Sequence, residues 1–367
     1  MTFSARARIN LSAIQHNLNV IRSIEPAARV MAVVKGNAYG HGMLETATAL
    51  ADVDAFAVAR ISEAAQLRDA GCEHPLVLLG GIVAESDLDL AARLGVSLCV
   101  HNHEQIEWLE NFACGAFEVW LKIDTGMHRL GFHTNVAEMA IARLNSCSAV
   151  KKLSLMTHLA NADNLNDEIT DRQMEQFSTL ANDFKGDISI ANSGGLFGAA
   201  RSLQRFSNAS REGRVWMRPG IALFGVSPIE GSLGTELGLK PAMNFESTLI
   251  AIRAIRAGQP VGYGGEWQAP CDTKIGVIAV GYGDGYACYM QAGAPMSINN
   301  REVRVVGAVS MDLTTVDLGP NAQDEIGDRV LLWGDALPVE RVAEAVRTAA
   351  YQLITGITHR EAAVFDE

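Results

Sequence analysis

The chain has 367 residues, 48% of them apolar and 20% charged, which suits a soluble globular protein with one large domain and one smaller one. A formal net charge of -12 without any run of Lys and Arg argues against a polyanion partner such as nucleic acid and points to a small-molecule substrate. Arg6, Arg8, Asn10, Gln15 and His16 interrupt the apolar positions at the start, no stretch approaches the ~18 apolar residues of a membrane span, and the 6 cysteines include no C-x-x-C pair, so a cytoplasmic, reduced protein without structural zinc is expected.

Taken in chain order, short apolar or β-branched runs alternate with helix-length amphipathic stretches. The runs are Val30 to Val34, Ala55 to Ala59, Leu76 to Leu79, Val96 to Val100, Glu118 to Ile123, Leu153 to His158, Ile188 to Ala191 and Trp216 to Leu223. Between them lie helix patterns such as Met43 to Ala51, Ser62 to Ala70 and Ala137 to Leu144. Eight strand-helix units predict an α/β fold, a parallel (β/α)8 barrel of the TIM type, over residues 1–238. Whether residues 1–9 pack instead on the second domain is left open. After Leu239-Lys240-Pro241 the texture changes to strand-like segments (Glu246 to Ile252, Lys274 to Val280, Glu302 to Val309, Arg329 to Leu332) and one helix from Val339 to about Leu353, which predicts a mainly β domain over 239–367.

In such a barrel the active site gathers at the carboxyl ends of the strands, so the polar residues ending each run belong together. The first run delivers Lys35 into the Gly-rich loop of Val33-Val34-Lys35-Gly36-Asn37-Ala38-Tyr39-Gly40-His41-Gly42, where an amine can form a Schiff base. The fifth leads into Lys122-Ile123-Asp124-Thr125-Gly126-Met127-His128-Arg129-Leu130-Gly131, the sixth into Thr157-His158, the seventh into Asn192-Ser193-Gly194-Gly195, and the eighth carries Arg218-Pro219-Gly220-Ile221. Ser193 and the backbone at Gly220 and Ile221 are donors suited to a phosphate. His101-Asn102-His103 imitates a metal pair, but alternate strand residues face opposite ways, and no metal is expected.

These segments resemble the alanine racemase family along essentially the whole chain, together with Val261-Gly262-Tyr263-Gly264-Gly265, Gly281-Tyr282-Gly283-Asp284-Gly285-Tyr286 and Ser310-Met311-Asp312. The resemblance implies a pyridoxal phosphate enzyme, a head-to-tail homodimer, and an active site completed by Tyr263, Tyr282, Met311 and Asp312 of the partner subunit. Lys35 would hold the cofactor, with Tyr39, Ser193, Gly220 and Ile221 at its phosphate, Asn192 and His158 beside it and Arg218 at its ring nitrogen. Arg129 would bind the substrate carboxylate or the cofactor phenolate oxygen, and Lys122 falls where the family carries a carbamylated lysine.

Racemisation needs acid-base groups on both faces of the α-carbon, and the resemblance assigns Lys35 to the D-enantiomer and Tyr263 to the L-enantiomer. Alternatives weighed on the residues are a PLP-binding barrel without turnover, a decarboxylase of similar build, and a racemase of broader or different specificity such as serine or larger amino acids. Cys288 and Ala308 stand where the family usually has arginine, and His359 where a tyrosine often closes the pocket. A less restrictive entrance is expected, with alanine the best substrate and graded side activity towards serine and a longer or cationic amino acid.

Overall fold

The computed structural model describes residues 4–198, 206, 209, 212, 214–358, 360 and 362–366. His359 lies outside the described residues.

Eight parallel strands close into a barrel: Arg29–Val33, Ala55–Val58, Leu76–Leu78, Val96–Val100, Phe117–Asp124, Val150–Met156, Ile188–Asn192 and Val215–Arg218. Each pairs with its neighbours in chain order, and closure comes where the eighth strand meets the first. The period-2 alternation of side chains divides each strand between two cores. In the first strand Val30 and Ala32 face the outer layer under the helices, while Met31 and Val33 face the axis. The axis is filled by Met31, Val33, Ala55, Ala57, Val77, Cys99, Trp120, Met156 and Trp216, with the Trp120 and Trp216 rings meeting edge to face at 5.9 Å. The barrel is therefore a packed plug, and the cavity that matters sits on top of it.

The second sheet has eight strands, mostly antiparallel, built around the long strand Met243–Ile255. Arg6–Asn10 belongs to this sheet: it runs antiparallel to Met243–Ile255 and parallel to Val364–Asp366. The following helix, Leu11–Ile24, starts where Asn10 Oδ1 accepts the Ala13 N–H at 2.8 Å. Its buried face carries Asn17, whose amide donates to the carbonyls of Leu223 and Lys240 and accepts the Lys240 N–H at 2.7 Å. One satisfied buried amide thus ties the chain's start to the crossing between the two sheets.

Three expectations are corrected. The eighth run, read as Trp216 to Leu223, stops as a strand at Arg218, because Pro219 supplies no N–H to a ladder and Ile221–Phe224 turns into a 3-10 helix. The helix read from Val339 to about Leu353 is two helices, Val339–Ala345 and Ala350–Thr355, broken where Arg347 takes φ +56. The strand read as Glu302 to Val309 is Arg301–Val305. Among the described residues no helix is long and apolar enough to cross a membrane.

Candidate active site

The first barrel strand ends at Val33, and the backbone then makes a left-handed turn: Gly36, Asn37, Ala38 and Tyr39 all have φ between +53 and +63. For the three non-glycine residues this costs about 1–2 kcal/mol each. Contacts from near and far along the chain hold the turn. Ala38 is fully buried, Asn37 Oδ1 accepts the Met43 N–H at 2.9 Å, and Glu63 accepts the Gly36 N–H at 2.7 Å. Glu63 also accepts from Ala59 at 2.8 Å and Arg60 at 3.0 Å, so one carboxylate joins the ends of the first two barrel strands directly beside Lys35.

The turn delivers Lys35 and Tyr39 into a cavity of about 370 Å³ at the carboxyl ends of the strands. Lys122, Arg129, His158, Asn192, Ser193, Arg218, Gly220 and Ile221 line it as well. Four of these residues are Lys or Arg, and among the described residues no carboxylate lines the cavity. Burial, and then Arg129, lowers the Lys35 pKa from its usual value even though the residue is reachable from the open cavity. Lys122 is buried and its pKa is also lowered, chiefly by desolvation, which Cys99 opposes and to which Arg218, Arg129 and Lys35 add.

Arg218 is the most constrained of the four. Its guanidinium donates to Ser189 Oγ at 2.6 Å, to the Thr157 carbonyl at 2.6 Å and to the Ile190 carbonyl at 3.2 Å. Burial brings its pKa down to about 10, which leaves it charged at neutral pH. Nη2 also lies 3.4 Å from His158 Nδ1. Desolvation, then Arg218, pushes the His158 pKa down to about 2, so the ring is neutral. Because Arg218 can only donate, Nδ1 is the acceptor and the proton sits on Nε2.

At the other end of the cavity, Ser193 Oγ accepts the Gly220 N–H at 3.0 Å and the Ala222 N–H at 3.4 Å. Gly220 is required there by close approach: a Cβ would lie 2.4 Å from the Tyr39 hydroxyl oxygen. Two hydroxyls and a backbone amide converge in a pocket where only glycine fits, an arrangement suited to a phosphate.

Tyr263, Tyr282, Met311 and Asp312 do not line the cavity of their own chain. They gather on the second domain. Tyr282 donates its N–H to the Ser310 carbonyl at 3.0 Å and Gly283 to Met311 at 2.8 Å, while a Cβ on Gly262 would touch the Ala308 nitrogen at 3.1 Å. Tyr263 is 76% exposed, and Tyr282 and Met311 are exposed too. Asp312 accepts from Arg360 at 2.7 Å. Cys288 is exposed on a short 3-10 helix and Ala308 is half-buried, both outside the cavity lining.

Comparison with known proteins decides the family. The model of the alanine racemase N-terminal domain matches residues 9–228 and that of the alanine racemase C-terminal domain matches 242–365. The chain belongs to the alanine racemase family. It is 46% identical to the biosynthetic alanine racemase of Escherichia coli O6:H1 over 362 residues, 98% of each protein. It superposes on the biosynthetic alanine racemase of Pseudomonas aeruginosa with a TM-score of 0.93 at 38% identity, covering 100% of both chains. The alanine racemase of Bartonella henselae, crystallised with covalently bound pyridoxal phosphate, gives 0.87 at 27% identity over 99% of each chain.

Two residues at this alanine racemase cavity escape sequence reasoning. Tyr351 lines it from the second domain's side of the sequence, its ring 6.2 Å from that of Tyr39. Glu63 reads in the sequence as an ordinary first-turn helix residue, and only its three backbone contacts reveal its place. The Glu at the third helical position after Arg60 was the available signal.

Proposed function

We propose that this chain is a pyridoxal phosphate dependent alanine racemase that binds the cofactor covalently at Lys35 and works as a homodimer, with the partner subunit's Tyr263 as the second base. The observation that carries the reading is the cavity's charge: Lys35, Lys122, Arg129 and Arg218 face one another with no carboxylate among the described lining residues. Such a set calls for an anionic occupant, and a phosphorylated cofactor together with an amino-acid carboxylate supplies the missing charge. The cradle of Tyr39, Ser193, Gly220 and Ile221 fits the phosphate, and Lys35 fits an aldehyde. When bound, pyridoxal phosphate supplies an electron sink that acidifies the α-hydrogen of an amino acid attached to it.

The protein's own groups do the rest. The lowered pKa of Lys35 gives it a larger neutral fraction than a surface lysine has, so its Nζ can take a proton from one face of the α-carbon. Arg218 has no atom that gives up a proton at neutral pH, so it would donate a hydrogen bond to the cofactor's ring nitrogen and leave it unprotonated. This restrains the sink, which suits reprotonation at the α-carbon over transamination. Neutral His158, with Nδ1 occupied by Arg218, has its Nε2–H free to donate to the partner's Tyr263. That bond offsets part of the ~4 kcal/mol needed to ionise a phenol of pKa near 10 at neutral pH. Arg129 orients the substrate carboxylate.

Lys122 is the candidate for carbamylation. Its lowered pKa favours the neutral amine, which adds to the carbon of CO2 and loses one proton to leave a carbamate anion among three cations.

The test is chiral chromatography of the protein loaded with pyridoxal phosphate and incubated with L-alanine. Equal amounts of both enantiomers should accumulate, and Lys35→Ala should remove both the yellow chromophore and the turnover. L-alanine recovered unchanged from the loaded protein would overturn the proposal.

A further inference from the structure

Beside the cavity, and outside its lining, a second group of side chains converges. The fifth barrel strand ends on Asp124, and the chain returns as the short parallel strand Phe132–His133 with Asp124 opposite His133. Opposed residues of a ladder present their side chains on one face. His128, between them in the chain, sits at φ +54. Asp124 Oδ1 accepts the N–H groups of Gly126 and His128, each at 3.0 Å, and this tight loop brings His128 Nδ1 to 3.1 Å from Asp124 Oδ2. One ligand atom from each of Asp124, His128 and His133 lies within 4.8 Å of the others. Asp124 is buried and both imidazoles are exposed.

We propose that Asp124, His128 and His133 bind a divalent transition cation of the zinc class. Two imidazoles and a carboxylate with one open side are the three-ligand set that such an ion takes, with water in the fourth position, whereas Mg2+ and Ca2+ call for oxygen ligands throughout. The carboxylate is the preorganised member: two backbone donors fix Oδ1 and leave lone pairs of Oδ2 towards the histidines. Bonds of about 2.0–2.2 Å require the donors to draw a little closer than they stand, and rotation of two exposed rings supplies that. The ion replaces the proton shared between His128 Nδ1 and Asp124 Oδ2. Two features oppose it, the neighbouring Arg129 cation and the positive end of the helix Thr134–Ser146, so the site should be reversible and not structural. Its occupancy ties together the segment that carries Arg129, one residue beyond His128.

The experiment is calorimetric titration of zinc sulfate into the holoenzyme in a Cys114→Ser, Cys271→Ser, Cys288→Ser background, which removes the exposed thiols as competing ligands. One saturable site per chain is expected. His133→Gln and, separately, His128→Gln should each weaken it by about tenfold or more. Their melting temperatures without zinc check that they fold, and His103→Gln, whose ring packs edge-on to Phe132, should leave the affinity unchanged. Absence of saturable binding, or the same affinity in both histidine variants as in their background, would overturn the proposal.

Discussion

Four cations around one cavity leave a measurable trace in how the protein responds to pH. Lys35 and Lys122 titrate below the ordinary 10.5 in the folded chain, so between their lowered values and 10.5 the unfolded chain binds more protons than the folded one. Stability therefore rises with pH across that window. His158 acts in the same sense on the acid side: it stays neutral down to about 2 when folded but takes up a proton near 6.5 when unfolded, so stability falls as pH drops below 6.5. Above about pH 10 the buried phenols of Tyr39 and Tyr286, whose pKa values are raised by burial, reverse the trend. Urea midpoints of the cofactor-free protein should climb as the pH rises through 6.5 and again on the approach to 10, and Lys122→Met should flatten the alkaline part of the climb. A midpoint that falls over this range would contradict the electrostatic picture. At this scale Lys35, Arg218 and Ser193 were legible in the sequence, since each lies within or directly after a strand-like run. His158 was too, although its strand ends earlier, at Met156.

The element that positions the chemistry is the left-handed turn after the first barrel strand, together with the helix Ile61–Asp69 that supplies Glu63. Replacing Glu63 by Gln keeps the size but presents an N–H pair where one oxygen accepted, so at least one of the three backbone donors loses its partner. About 1–2 kcal/mol of stability should go, and kcat should fall by about tenfold, because Lys35 is carried by the freed backbone. Thermal melting and steady-state kinetics check this, and an unchanged kcat with an unchanged melting temperature would remove Glu63 from the account. Gly220→Ala tests the opposite end: its methyl would collide with the Tyr39 hydroxyl, so affinity for pyridoxal phosphate should drop at least tenfold while the barrel still folds. Spectroscopic titration with the cofactor measures it, and full affinity would contradict the cradle. The helix was legible as the pattern Ser62 to Ala70, and Gly220 as a phosphate donor, but the left-handed turn was not. Hydrophobic alternation reports strands well, but a run of positive φ in non-glycine residues is held by contacts distant in sequence. The same limit explains the eighth run, where apolar Ile221 to Phe224 continues the strand texture past the Pro219-Gly220 break, and the helix interrupted at Arg347.

On the scale of the whole molecule, the barrel supplies one half of the proposed site and the second domain presents the other half on the outside. Tyr263, Tyr282, Met311 and Leu313 are exposed apolar side chains on loops tied together by backbone contacts, an arrangement that suits burial against another subunit. If the partner completes each cavity, mixing inactive Lys35→Ala chains with weakened Tyr263→Phe chains should yield hybrids with one site built from two intact contributions. Activity should rise above that of either parent. No gain in mixtures that demonstrably exchange subunits would contradict the shared site. The central claim is more specific, that two different groups serve the two faces of the α-carbon. It is tested most directly by following deuterium entry from D2O into the α-position of each enantiomer with the Tyr263→Phe protein. The account predicts that exchange into D-alanine persists through Lys35 while exchange into L-alanine collapses, and equal loss from both enantiomers would contradict it.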